Sequence, residues 1–185
     1  MRPLLVTTAL LIAGFLAGCG DGFTIIEPPI RRPVPIYPKL VSPYLVMEAL
    51  RIAYMFRDTT ELKLIYDDNY QGTSADQNVP GTPFTFSKFD ENQHLSKLAH
   101  RQDIAVSILT DSHMTRTADA SDPPGWALIQ NPIASLSVTD SGFTYNVDIA
   151  HEVMDFHFIP QLDSTAVTDT TWKIVRWIEV RAVVP

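Results

Sequence analysis

The chain has 185 residues, with 14 lysine and arginine residues against 21 aspartate and glutamate residues, and a formal net charge of −7 at pH 7. The charges are dispersed without a basic patch, which argues against nucleic acid as a partner and against electrostatic adhesion to anionic lipid. A single cysteine excludes an intramolecular disulfide, so the fold depends on its apolar core.

The amino terminus has the layout of a secretory signal peptide over residues 1–18. One arginine precedes an apolar stretch from Leu4 to Leu16, and the small residues Ala17 and Gly18 follow. This stretch is shorter than the roughly 20 residues that a membrane-spanning helix requires. A cleaved leader is therefore favoured over a transmembrane anchor.

The residues Leu16-Ala17-Gly18-Cys19 resemble the lipobox of bacterial lipoproteins. The resemblance implies cleavage before Cys19, a diacylglyceryl thioether on its sulfur, and acylation, as by palmitate, of the new amino terminus. The residue types suit this chemistry, because a thiol accepts the lipid and small neighbours let the peptidase approach the backbone. We therefore expect a lipid-anchored protein in the cell envelope, facing the periplasm or the exterior. An unmodified cysteine in an ordinary signal peptide is the alternative.

Residues 19–42 comprise the lipidated cysteine and a proline-rich tether. The stretch EPPIRRPVPIYPKLVSP, residues 27–43, contains six prolines. Proline fixes φ and removes a backbone donor, so an extended or polyproline II spacer is expected. A recognition site for a partner is the alternative, and apolar residues such as Ile36 and Tyr37 also allow packing against the domain.

Residues 43–185 are predicted to form one domain that begins with helices. Ser42 as N-cap and Pro43 at the first helical position predict a helix in SPYLVMEALRIAYMFRD. A second helix is predicted in TTELKLIYDD with Thr60 as its cap, and a loop in NYQGTSADQNVPGTP. FTFSKF is predicted to be a short strand, and DENQHLSKLAH a helix capped by Asp90.

From residue 103 the hydrophobic period changes to two, which is typical of strands. Four segments rich in β-branched and aromatic residues are long enough for a strand: DIAVSILTDSH, WALIQNPIASLSVTDS, FTYNVDIAHEVMDFHFIP and TTWKIVRWIEVRAVV. Asp140-Ser141-Gly142 predicts a turn between the second and the third. Helices followed by strands predict the α+β class, with N-terminal helices packed on a curved antiparallel sheet.

This organisation resembles the nuclear-transport-factor-2-like (NTF2-like) superfamily, which includes ketosteroid-isomerase-like and polyketide-cyclase-like proteins. Three stretches carry the likeness: ALRIAYMFRDTTELKLIYDDNYQG, FTFSKFD and TTWKIVRWIEVRAV. The resemblance implies a cone whose sheet wraps around the helices and leaves a pocket at its open end. It implies no particular activity, because the superfamily contains enzymes, carriers and dimerisation modules.

The segment HEVMDFHF, residues 151–158, holds the polar residues that most suggest chemistry. On a strand, His151, Asp155 and His157 share one face, and Glu152 shares the other with three apolar residues. Asp155 and His157 are about 7 Å apart along the strand, close enough to act on one ligand or metal. The alternative is that His151, Asp155 and His157 form a solvated polar face. Glu152 then points inward and is a general-base candidate if burial raises its pKa.

The likeness to isomerase-type cones also implies a ligand pocket. Its candidate residues are Tyr54, Tyr66, Phe86 and Trp172. No metal or cofactor is expected, since the sequence lacks a glycine-rich phosphate loop, a Gly-x-Ser-x-Gly elbow, a His-Glu-x-x-His motif and clustered cysteines.

Two functions follow from these observations as expectations. The favoured one is a lipid-anchored envelope protein with a non-enzymatic interaction or ligand-holding domain, as in an accessory subunit of a membrane complex. Its partners would be the membrane, through the anchor, and a protein or a second copy at the sheet face. The alternative is an isomerase- or dehydratase-type enzyme that acts on a small apolar ligand in the cone.

Overall fold

The computed structural model describes residues 34–79, 81, 83–101, 103–147, 149–162 and 170–181. The expected signal peptide, Cys19 and most of the tether lie outside these residues. Within the described part of the chain, no helix has the length and apolar character needed to cross a membrane.

The described residues contain three α-helices: α1 (Pro43–Phe56), α2 (Thr59–Ile65) and α3 (Lys88–Ala99). The predicted start of α1 is confirmed, since Oγ of Ser42 accepts a hydrogen bond from the backbone N–H of Leu45 at 3.3 Å. Arg57 caps the end of α1 in the left-handed region, at φ 58°, and α2 begins two residues later, at Thr59.

The caps of the other two helices differ from the prediction. Asp58, rather than Thr60, caps α2: its Oδ1 accepts hydrogen bonds from two backbone N–H groups of the first turn, at 2.9 and 3.1 Å. Ser87 is the N-cap of α3, and Asp90 completes a capping box by accepting from the backbone N–H of Ser87 at 2.8 Å. The predicted cap Asp90 therefore lies inside the helix that it helps to begin.

Nine strands occur in the described residues: β1 (Tyr66–Asp76), β2 (Phe84–Ser87), β3 (Ile104–Thr110), β4 (Arg116–Thr117), β5 (Ala127–Gln130), β6 (Ile133–Asp140), β7 (Phe143–Asn146), β8 (Glu152–Leu162) and β9 (Thr170–Arg181). A short 3₁₀ turn, Ile149–His151, precedes β8. One sheet has the order β2-β1-β9-β8-β5-β4 and the other has the order β3-β6-β7. The α+β class is confirmed. The arrangement is mixed rather than purely antiparallel, because β1 and β9 run parallel.

Strand β1 overturns the prediction of a loop after the second helix. Its residues are mostly polar or small, but it pairs with β2 on one side and β9 on the other. In contrast, the predicted turn between β6 and β7 is confirmed. Ser141 and Gly142 both have positive φ, 50° and 86°, as expected for a two-residue hairpin turn.

The core lies between the helices and the inner face of the sheets. Its largest fully buried side chains include Met47, Leu62, Ile65, Tyr66, Leu95, Ile129, Phe156, Phe158 and Ile174. The end of the predicted tether also contacts the domain: Tyr37 Oη donates to Asp58 at 3.2 Å, and the backbone N–H of Trp172 donates to the carbonyl of Leu40 at 2.7 Å.

Candidate functional site

A cavity of about 560 Å³ lies between α1, α3 and strands β2, β3, β6 and β9. Four aromatic side chains contribute to its wall: Tyr54, Phe84, Phe86 and Trp177. Aliphatic side chains complete the apolar surface: Leu50, Leu98, Val106, Ile108, Ile133, Leu136 and Val138. Both the volume and the apolar lining are typical of a small-molecule site.

Glu91 is a buried carboxyl group in the wall of this cavity. It lies in the first turn of α3, one helical turn before the core residue Leu95, and is only 6% exposed. Tyr54 of α1 donates its hydroxyl hydrogen to Glu91 Oε2 at 2.6 Å. Burial raises the pKa of Glu91 and the charge of Asp90 adds to this, while the hydrogen bond from Tyr54 opposes it. Burial, followed by the charge of Glu91, also raises the pKa of Tyr54 well above its usual value.

Glu179 of β9 supplies a second carboxyl group to the cavity. Burial raises its pKa, and the charges of Glu152 and Glu91 add to the effect. The pairing of β8 with β9 sets Glu179 opposite Met154, and sets Glu152 opposite Arg181. All four therefore lie on the inner face, and Glu179 is close enough to Glu152 and Glu91 for their charges to raise its pKa.

The indole of Trp177 is held between two other rings. Phe156 stacks on it at 4.8 Å between centroids, and Phe86 meets it nearly edge-on at 6.1 Å and 82°. Phe86 itself lies over Gly72, its direct partner in the pairing of β1 with β2. The aromatic part of the cavity wall is therefore fixed by packing across four neighbouring strands, β2, β1, β9 and β8.

The structure brings two of the four predicted pocket residues to the cavity and leaves two elsewhere. Tyr54 and Phe86 line it. Tyr66 is fully buried in the core, where its ring lies 4.1 Å from that of Tyr70. Trp172 lies five residues before Trp177, roughly 17 Å away along β9, beneath the guanidinium of Arg116 at 4.5 Å. Tyr66 and Trp172 therefore do not line this cavity, because each packs at a different part of the inner face.

Glu152 has the inward orientation that strand alternation predicts. Its side chain is 6% exposed and lies 3.6 Å from the Arg181 guanidinium. It is not among the described residues that line the cavity, whereas Glu179 on the neighbouring strand is. A catalytic role for Glu152 stays a prediction.

Asp155 and His157 lie on the outer face of β8, but this face is not solvated at His157. The imidazole is 1% exposed, and its Nδ1 lies 2.5 Å from Oδ2 of Asp122. Arg176 Nη1 donates to the other oxygen of Asp122 at 3.1 Å. The partner of His157 is thus Asp122 rather than Asp155, and the loop between β4 and β5 covers it. The expectation of a solvated polar face is wrong at this residue.

The same cluster is the arrangement closest to a metal site in the described residues. One ligand atom each from Asp119, Asp122 and His157 lies within 4.8 Å of the others. However, Asp122 already faces both the imidazole and the positively charged Arg176. Because that guanidinium takes the place of a cation, the cluster is better explained as a buried ion-pair network that fixes the loop.

Sequence reasoning missed Glu91 and Glu179, although each leaves a signal. Glu91 precedes Leu95 by four residues and Leu98 by seven, so it lies on the apolar face of α3. Glu179 follows Trp177 at the two-residue spacing that places both on one face of β9. In both elements an acid interrupts an apolar stripe.

Neither a protein-family model nor a curated protein matches the sequence. Solved structures that resemble the chain include an NTF2-like protein of unknown function in nutrient uptake from Rhodospirillum rubrum. It is 14% identical with a TM-score of 0.47, and the match covers 75% of this chain and 96% of that one.

An NTF2-like protein of unknown function from Pseudomonas putida is 12% identical with a TM-score of 0.45, over 73% of this chain and 80% of that one. A protein from Streptomyces avermitilis, provisionally named a dehydratase of the NTF2-like family, is 9% identical with a TM-score of 0.45, over 76% and 93%. All three of these structures are of NTF2-like proteins. At these values they carry no inference about the function of this chain.

Proposed function

We propose that this chain is a lipid-anchored protein of the bacterial envelope whose domain holds a small, mainly apolar molecule in the cavity. The observation that carries the proposal is the cavity itself, about 560 Å³ with aromatic and aliphatic walls. Small-molecule sites combine such apolar walls with a few convergent polar groups. Here Glu91 and Glu179 are those groups.

Binding is tested with N-phenyl-1-naphthylamine, a neutral dye whose fluorescence increases in apolar surroundings. We expect saturable binding, and Ile108→Trp should weaken it about tenfold because the indole fills cavity volume. Leu109→Trp is the matched control: Leu109 is the next residue of β3, points to the opposite face and is exposed. Absence of saturable binding, or equal affinity of the Ile108→Trp variant and the unmodified protein, would refute the proposal.

A second candidate function is isomerase- or dehydratase-type catalysis, favoured by the hydrogen bond between Tyr54 and Glu91 inside an apolar cavity. A carboxyl group with a raised pKa can hold and transfer a proton near neutrality. The test is exchange of the α-protons of 2-tetralone in D₂O, followed by proton NMR. Acceleration by the unmodified protein that is lost in Glu91→Gln supports catalysis. Exchange at the rate without protein supports a holding role alone.

The anchor is proposed from the lipobox residues, with Cys19 as the site of lipidation. Mass spectrometry of the mature protein should find a chain that begins at Cys19 and carries a diacylglyceryl thioether. Cys19→Ala should leave an unprocessed chain that carries no diacylglyceryl thioether. A free thiol at Cys19 in the mature chain would overturn this part of the proposal.

We also propose a contact with a protein or a second copy at the three-stranded sheet. Its edge strand β7 carries Phe143 and Tyr145, which are 70% and 63% exposed, and isolated proteins usually cover such apolar edge residues. Light scattering during size-exclusion chromatography tests self-association. A dimer that Phe143→Ser dissociates supports a second copy. A monomer at all concentrations rules it out.

A further inference from the structure

We propose that the molecule held in the cavity is an apolar cation, an amine that is protonated at neutral pH, and that Glu91 and Glu179 bind its ammonium group. This inference rests on the proposed function and specifies the ligand of the same cavity. It is supported by the charge of the side chains that line the cavity and by the hydrogen bonds that these side chains do or do not form.

The first argument is the charge balance of the wall. Three acidic residues, Asp90, Glu91 and Glu179, line the cavity together with one lysine, Lys97, and one histidine, His94, which is exposed to solvent. Lys97 is exposed to solvent, whereas Glu91 is buried. Moving a carboxylate away from water is unfavourable unless a positive group accompanies it. A ligand that brings positive charge supplies what the wall lacks.

The second argument is that acceptor positions are left open. Among the residues that the structure describes, Glu91 accepts one hydrogen bond, from Tyr54, on Oε2. Within the described residues Glu179 forms neither a hydrogen bond nor an ion pair, and Arg181, two residues further along β9, lies beside Glu152 instead. An ammonium group has donors and no acceptor, so it matches carboxylates that still have free lone pairs.

The third argument is the aromatic wall next to these acids. Tyr54 carries the hydroxyl bound to Glu91, and Trp177 precedes Glu179 by two residues on the same face of β9. Aromatic faces attract cations, and tryptophan most strongly. A carboxylate beside an aromatic face binds both the charge and the carbon atoms of an organic amine, whereas an anionic ligand of the same size would face uncompensated acids.

The experiment compares three ligands of matched shape as competitors of N-phenyl-1-naphthylamine at pH 7. They are 1-naphthylmethylamine, which is cationic, 1-naphthalenemethanol, which is neutral, and 1-naphthoate, which is anionic. We expect the amine to displace the dye at about one tenth of the alcohol concentration, since hydrogen bonds to charged groups are stronger than neutral ones. The naphthoate should be the weakest competitor.

Variants assign the preference to its residues. In Glu179→Gln and in Glu91→Gln the preference for the amine should decrease, so that amine and alcohol displace the dye at more similar concentrations. Glu61→Gln makes the same chemical change in α2, outside the cavity, and should retain the ratio. Circular dichroism checks that each variant is folded.

The outcomes separate this inference from the function on which it rests. Three outcomes would overturn the inference: equal competition by amine and alcohol, stronger competition by the naphthoate, or a preference for the amine that survives both cavity variants. In each of them, binding of the dye would still support the cavity as a site. Failure of the dye itself to bind would overturn the proposed function and this inference with it.

Discussion

Replacing Gly72 by alanine should destabilise the domain by acting on the cavity wall. Gly72 of β1 lies directly under the ring of Phe86, and a Cβ atom added there would meet ring carbons at 2.0, 2.3 and 2.5 Å. Ordinary van der Waals contact begins near 3.4 Å, so the ring must move by more than 1 Å. The ring is confined by Tyr70, Phe84 and Trp177, at centroid distances of 5.9 to 6.3 Å.

The expected cost follows from two opposing effects. Overpacking of a confined side chain costs about 1–3 kcal/mol. Alanine in place of glycine in a strand recovers about 0.5–1 kcal/mol of that. We therefore expect Gly72→Ala to lower the free energy of unfolding by about 1 kcal/mol, the difference between the middle values of the two ranges, measured by urea denaturation with far-ultraviolet circular dichroism. Dye binding should weaken as well, because Phe86 lines the cavity.

Two controls make this prediction specific. Gly81→Ala adds the same methyl group at an exposed position with no atom within 4 Å, and should leave stability unchanged. In a Phe86→Ala background the Gly72→Ala substitution should no longer cost stability, because the clashing ring is gone. A Gly72→Ala protein as stable as the unmodified one, or an equal loss in both backgrounds, would refute the proposed close contact.

Three further predictions concern the network on the outer face, the buried acid and the first helix. Asp122→Ala should lower the free energy of unfolding by about 3 kcal/mol, because it leaves His157 and Arg176 without their buried partner. An unchanged urea midpoint would contradict the network. Burial raises the pKa of Glu91 above its ordinary 4.5, so the folded state holds this proton more tightly and stability falls as pH rises from about 4.5 through the raised value. Glu91→Gln should lack this fall. The prediction would be wrong if the free energy of unfolding of the unmodified protein rose with pH relative to that of Glu91→Gln. Ser42→Ala should cost about 1 kcal/mol by removing an N-cap, with restoration by Ser42→Thr as the check.

Features of the fold that depend on local chemistry could be predicted from the sequence. Ser42 and Pro43 locate the start of α1, and Ser141-Gly142 locates the hairpin turn, because caps and turns are decided by a few neighbouring residues. The start of α3 was predicted at Asp90 and lies at Ser87 instead, because both are good caps and the capping box uses both.

Features that depend on distant residues could not be predicted in this way. The polar sequence of β1 indicates a loop, and the strand exists because β2 and β9 offer their edges to it. The burial of His157 depends on a loop more than 30 residues earlier, which brings Asp122 to it. The inward face of β8 was predictable from its alternation, but the identity of the cavity acids was not, because α1, α3 and β9 must come together before Glu91 and Glu179 share one space.

The position of β9 within its sheet affects how the chain acquires its fold. This strand is the last one described in the sequence, yet it lies in the middle of the six-stranded sheet between β1 and β8. Tyr66 pairs with Ile174, more than 100 residues later, and contacts of such separation slow folding because the intervening chain must first be ordered. Until β9 has been synthesised, β1 and β8 each present an unpaired edge and the domain cannot close. We therefore expect the six-stranded sheet to close only after most of the chain has been synthesised, which would suit the export that the amino-terminal sequence predicts.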